Sequence, residues 1–128
     1  MRLFNILKNL ANRDWIVEQG TSGIWTYRKW NSGVAECWGK SSTTITSWSP
    51  WGSGYLSTPN INVNFPTNFF IESPNCSLFV TLSNGGSVLE VHSTVTSSRV
   101  SAIQGMRMTT GGTDISFVAW IHAIGKWK

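Results

Sequence analysis

The chain has 128 residues, enough for one domain with a core that needs no disulfide or metal to close it. Only 12% of the residues are charged and the net charge is +4, against roughly a quarter charged in a typical soluble domain, so the surface is built largely from Ser, Thr, Asn and Gly. The ten Lys and Arg are scattered without a run or stripe, which argues against a nucleic-acid footprint, and no apolar run is long enough to span a membrane.

Residues 2–12 (RLFNILKNLAN) carry Leu3, Ile6, Leu7, Leu10 and Ala11 at spacings of three and four, the pattern of one apolar stripe on a helix. Leu3, Leu7 and Leu10 also fit a short coiled-coil seam. A helix this short is marginal alone in water. It needs the domain's own sheet to lie on, or copies of itself around a symmetry axis. Asn5, Lys8 and Asn9 interrupt the apolar stretch, so no signal peptide is expected.

After Asp14 the signals turn to β. WIVEQ (15–19), IWTYRKW (24–30), VAECWG (34–39) and STTITSW (42–48) are rich in aromatic and β-branched residues. SPWGSGYLSTP (49–59) reads as a long Pro/Gly loop. INVNF (61–65) and FFIES (69–73) stop at Pro66 and Pro74. CSLFVTLS (76–83) runs into the turn signal Asn84-Gly85-Gly86, followed by SVLEVHSTV (87–95), RVSAIQGMRMTT (99–110) and DISFVAWIHAIGKW (114–127). Short strands at regular spacing predict an all-β fold, an antiparallel β-sandwich or a barrel.

Residues 25–39 hold three of the eight Trp. A three-residue turn at Asn31-Ser32-Gly33 places Arg28 opposite Glu36, Tyr27 opposite Cys37 and Thr26 opposite Trp38. The Arg28–Glu36 pair, flanked by Trp30 and Trp38, is expected to be structural, and Trp25, Tyr27 and Cys37 fall together on the core side. Cys37 and Cys76 do not make a disulfide scaffold and read as two buried free thiols, with a single Cys37–Cys76 bridge as the alternative in an oxidising environment.

Enzyme chemistry finds little support. The six carboxylates suggest no catalytic pair by spacing. His92 and His122 sit in no nucleophile motif, and the two Cys and two His match no zinc pattern. No cofactor loop and no metal site are expected. Trp48, Trp51 and Tyr55, in or beside the Pro/Gly loop, are the hardest aromatics to assign to a core. With Asn60 they are candidates for stacking on and hydrogen-bonding to a sugar. The bland alternative is that Trp48 and Trp51 cover an end of the sandwich or fill a subunit interface.

The stretch DWIVEQGTSGIWTYRKWNSGVAECWG and the chain's end, ISFVAWIHAIGKWK, resemble the C-terminal domains of tail fibre or minor structural proteins from phages and prophages of Gram-positive bacteria. The resemblance covers roughly a third of the chain strongly. It implies a jelly-roll-like head at a virion's tail tip: a homotrimer that contacts host polysaccharide or teichoic acid and is not an enzyme. On that basis residues 1–13 are a neck whose Leu3, Leu7 and Leu10 register the trimer, and residues 14–128 are the head. Only a few residues precede the motif here, so an isolated head or a short stand-alone product is expected.

Overall fold

The protein, analysed as a computed structural model, is described over residues 2–11, 13–58, 60–82, 87–88, 94–108 and 114–128. One helix, α1 (Arg2–Ala11), precedes the strands β1 (Ile16–Ser22), β2 (Trp25–Trp30), β3 (Val34–Ile45), β4 (Ser47–Trp51), β5 (Gly54–Thr58), β6 (Ile61–Asn64), β7 (Asn75–Leu82), β8 (Ser87–Val88), β9 (Thr94–Val95), β10 (Arg99–Ile103), β11 (Met106–Arg107) and β12 (Ile115–Lys126). They form an antiparallel β-sandwich. One layer is a five-stranded sheet in the order β1-β2-β3-β12-β7; against it lie a three-stranded sheet, β6-β10-β9, and a four-stranded sheet, β4-β5-β11-β8.

The five-stranded sheet is organised by two twelve-residue strands, β3 and β12, paired without a break from Ile115↔Ile45 to Lys126↔Val34. Strand alternation sends Ile115, Phe117, Ala119, Ile121 and Ala123 of β12 into the core, with Ser116, Trp120, His122 and Ile124 between them on the outer face. The β2–β3 hairpin follows the expected register, with Lys29↔Ala35, Arg28↔Glu36, Tyr27↔Cys37 and Thr26↔Trp38. Gly33 takes φ +100 in its turn, a conformation that glycine adopts without a Cβ clash. The chain end closes over this turn: Trp127 N donates to Gly33 O at 2.9 Å and Trp127 Nε1 to Trp30 O at 2.8 Å. The sequence's two distinctive stretches are therefore in contact.

The core is a chain of rings. Trp25 packs on Phe65, Phe65 on Phe70, Phe70 on Phe69 and Phe69 on Tyr27, with centroids 4.7–5.5 Å apart in tilted or edge-on geometry. Such pairs add about 0.5–1.5 kcal/mol each beyond area burial. Trp25 Nε1 donates to Asn64 O at 2.8 Å, which satisfies a buried donor and ties the two layers together.

Several expectations are corrected. FFIES is not a strand. Phe69 and Phe70 are adjacent and both buried, which the two-residue period of a strand forbids. A turn reverses the chain there, with Phe69 N on Pro66 O at 3.2 Å and Asn68 at φ +55, and Phe70 packs against Gly125. The segment 49–59 is not a loop but most of the β4–β5 hairpin, turned at Gly52 with φ +56. Pro50 is tolerated because β4 is the edge of its sheet. The strand expected at 42–48 divides between the end of β3 and the start of β4, and 99–110 breaks at Gln104-Gly105 into β10 and β11. The turn expected at 84–86 lies outside the described residues, as does much of 87–95; β7 and β8 belong to different sheets.

Both cysteines are free. Cys37 and Cys76 are each opposite Ala123, on either side of β12. That is two strand spacings, about 9.6 Å, beyond the roughly 7 Å that a disulfide tolerates between Cα atoms.

Candidate functional site

The β4–β5 hairpin separates the aromatics expected to act together. Trp48↔Ser57 and Pro50↔Tyr55 are register pairs, and Tyr55 is paired in turn with the buried Arg107. Trp48 packs against the core, with the Arg107 guanidinium carbon 5.1 Å from its ring centroid. Trp51 is one position out of phase with Trp48 and stands at the hairpin tip, 56% exposed. Asn60, exposed, lines a shallow groove of about 220 Å³ with Thr43, Thr44, Thr46 and Thr58. Trp51 and the Ser47–Thr58 end of the hairpin are four residues apart along the strand, or about 13 Å, a length no single sugar ring covers.

A second aromatic surface was not singled out from the sequence. On the outer face of the five-stranded sheet, Trp120 is paired with Phe79 on one side and Lys40 on the other. Trp120 is 49% and Phe79 63% exposed. With Trp38, Ile24 and His122 they line an open groove of about 470 Å³. The Lys40 amine lies 5.2 Å from the Trp120 ring centroid and the Arg28 guanidinium 5.3 Å from that of Trp38. The signal available in the sequence was the phase of β12: once Phe117 and Ile121 point inward, Trp120 and His122 point out. A near-continuous apolar run hid that phase.

Beside the groove runs a charge network. One Glu36 oxygen lies 4.0 Å from Arg28 Nη1, an ion-pair distance, and the other faces His122 Nε2 at 2.9 Å. Trp38 and Ser77 are the register neighbours of His122 on either side, and Glu36, which is opposite Ile124, reaches the imidazole on the diagonal.

A separate polar cluster decorates the β1 edge. Tyr27 OH donates to Glu18 Oε1 at 2.9 Å, and Lys29 Nζ lies 3.3 Å from Glu18 Oε2. The hydrogen bond from Tyr27, then that from Lys29, lowers the Glu18 carboxyl below its ordinary range, and the same Glu18 contact raises the Tyr27 phenol. Among the described residues no group of three His, Cys, Asp or Glu side chains converges to hold a metal. Of the helix residues assigned to a trimer seam, Leu3 and Leu7 are 68% and 56% exposed; the Leu10 side chain lies outside the described ones.

No protein-family model and no curated protein matches the chain. Its structure is similar to that of an N-truncated R1-type pyocin tail fibre, with a TM-score of 0.52 and 13% identity over 95% of this chain and 94% of that one. At that identity the likeness is one of fold alone.

Proposed function

We propose that the chain is the head domain of a phage or prophage tail fibre, a non-enzymatic module of the tail tip that recognises a bacterial surface glycan. The observation that carries the reading is the fold shared with a pyocin tail fibre along almost the full length of both chains. The sequence resemblance to head domains of phages of Gram-positive hosts points the same way.

In this reading residues 1–13 are the neck, 14–128 the head, and the assembly is a homotrimer. The helix supports it: its apolar stripe is left exposed at Leu3, Ile6 and Leu7, and ten residues of helix do not hold themselves together in water. The glycan contacts are assigned to Trp51 at the hairpin tip and to Asn60 in the threonine-lined groove, with Trp48 and Tyr55 buttressing the hairpin from its inner side. An anionic polymer such as teichoic acid suits the net charge of +4. No helix among the described residues is long and apolar enough to cross a membrane.

A second reading, a capping protein that binds nothing, is favoured by one observation: Trp48 is already engaged with the core and with Arg107. Binding of the labelled chain to an array of cell-wall polysaccharides and teichoic acids from Gram-positive bacteria separates the two. Selective binding supports recognition, and a folded trimer that binds none of them favours the cap.

A further inference from the structure

We propose that copies of this chain meet through the outer face of the five-stranded sheet, burying Trp38, Phe79 and Trp120 against a neighbouring subunit. The inference rests on the homotrimer above and places its interface in the head as well as in the neck.

The exposed apolar side chains are unevenly placed. Among the described residues most of the large ones lie on α1, on Trp15, Ile16 and Val17 where the chain enters the sheet, and on this one face; Trp51, Ile71 and Met108 are the exceptions. A contiguous apolar patch of this kind marks an interaction surface. Its aromatic and arginine-bearing composition is that of a protein interface.

The chemistry of the patch favours a protein over a sugar. Stacking a pyranose needs an open ring face. Here Arg28 lies over one face of Trp38 and Lys40 over one face of Trp120. The rest of the groove, lined by Ile24, Leu78, Phe79 and Ile121 beside the two rings, is largely apolar and suits apolar side chains. The charges are arranged for burial as well. Glu36 sits between Arg28 and His122, so covering the centre of the face strands no lone ion, and Lys40 lies at the groove's side.

The occupant is a second copy because of how the helix is joined to the sheet. An uncovered stripe on so short a helix is satisfied by copies of itself. Helix α1 ends at Ala11 and the edge strand of this same sheet begins at Ile16. That link spans at most about 17 Å. Helices gathered on an axis therefore hold the five-stranded sheets of the copies within short reach of one another.

The test is the solution mass of the full chain by light scattering on a sizing column, for the native chain and for Trp120→Glu, Phe79→Asp and Leu7→Asp. Trp51→Glu, an exposed Trp off this face, serves as control. We expect a native trimer, an unchanged Trp51→Glu, and Trp120→Glu and Phe79→Asp that remain folded by circular dichroism but need a roughly tenfold or higher concentration to assemble. Folded Trp120→Glu and Phe79→Asp trimers of native strength overturn the inference while leaving the trimer standing. A monomeric native chain overturns both. If Trp120→Glu fails to fold, hydroxyl-radical footprinting of the native chain reads the same face. Trp120 and Phe79 protected relative to Trp51 support the inference. Equal oxidation overturns it, as does protection that appears only when a cell-wall polysaccharide is added, which would assign the groove to the glycan.

Discussion

Glu36 and His122 join the two longest strands of the protein: Oε2 of the first lies 2.9 Å from Nε2 of the second, across the β3–β12 ladder. The other carboxylate oxygen reaches back to Arg28 on β2 at 4.0 Å. One acid thus links three strands on the sheet's outer face. Its side chain is 17% exposed, but Arg28 and His122 are nearly half exposed, so solvent screens much of the attraction. Replacing Glu36 by Ala is expected to cost about 1 kcal/mol, a fall of roughly 3–5 °C in Tm for a chain of this size. Glu36→Gln, which keeps a hydrogen-bonding partner for His122, should lose less. An Ala variant melting with the native chain would show the network to be fully screened.

Gly39 is a sharper structural requirement. It faces Trp25 across the hairpin, and a Cβ there would lie 2.5 Å from the Ile24 carbonyl oxygen and 3.1 Å from its carbon. Both are backbone atoms, so the clash cannot be relieved by turning a side chain. Gly39→Ala is expected to destabilise by about 1–3 kcal/mol through forced displacement of β2. Urea unfolding measures it, and a midpoint within error of the native one would mean that the strand shifts at no cost.

The hairpin around Gly33 was legible to the residue because three independent signals agreed there: a turn glycine, aromatic and β-branched flanks, and complementary charges at Arg28 and Glu36. Elsewhere the signals conflicted. Pro50 and two glycines made the β4–β5 hairpin look like a loop, and only its place at a sheet edge reconciles Pro50 with a strand. Phe69 and Phe70 have strand-like composition, but a turn at Asn68 lets two consecutive rings point inward. The candidate site was legible in part. Trp51 was picked out as hard to bury and is exposed. The Phe79–Trp120 groove was missed because facing in and facing out cannot be told apart in apolar runs such as SLFV and VAWI.

Acid should loosen the link between the chain's entry into β1 and the hairpin turn. Asp14 accepts hydrogen bonds from Ser32 Oγ, Ser32 N and Trp15 N. Chiefly the Ser32 hydroxyl holds its carboxyl below the ordinary 3.8. With the folded value depressed, this contribution is complete above the ordinary carboxylate range and is lost as pH falls through the depressed value. The Asp14 carboxyl resonance is therefore expected to titrate below a model peptide's in the native chain and to move up toward the ordinary value in Ser32→Ala, which keeps the two backbone donors. An unshifted native titration would mean that the bonds do not persist in solution.

The thiols should be inert in the folded protein. Burial, with smaller contributions from Cys76 and Glu36, pushes Cys37 up to about 12, and burial also raises Cys76. At pH 8 only about one Cys37 thiol in ten thousand is ionised, and the thiolate is the reactive form. A thiol-reactive dye should label Cys37 only on unfolding, and reducing agent should leave Tm unchanged because no bridge exists to break. Rapid native labelling of Cys37 would show that β3 opens on the labelling timescale.

Trp51 tests recognition apart from stability. Its indole is 56% exposed at the tip of a hairpin whose turn glycine, Gly52, has open space around it. Trp51→Ala should therefore change stability by no more than about 0.5 kcal/mol. If the ring stacks on a sugar, binding to the cell-wall polymer selected on the array should weaken about tenfold, equivalent to 1.4 kcal/mol. Asn60→Ala, at the far end of the same hairpin, should weaken a long polymer and spare a short fragment, because the two residues are too far apart for one ring to touch both. A Trp51→Ala protein that stays folded and binds as before would remove the hairpin tip from the site.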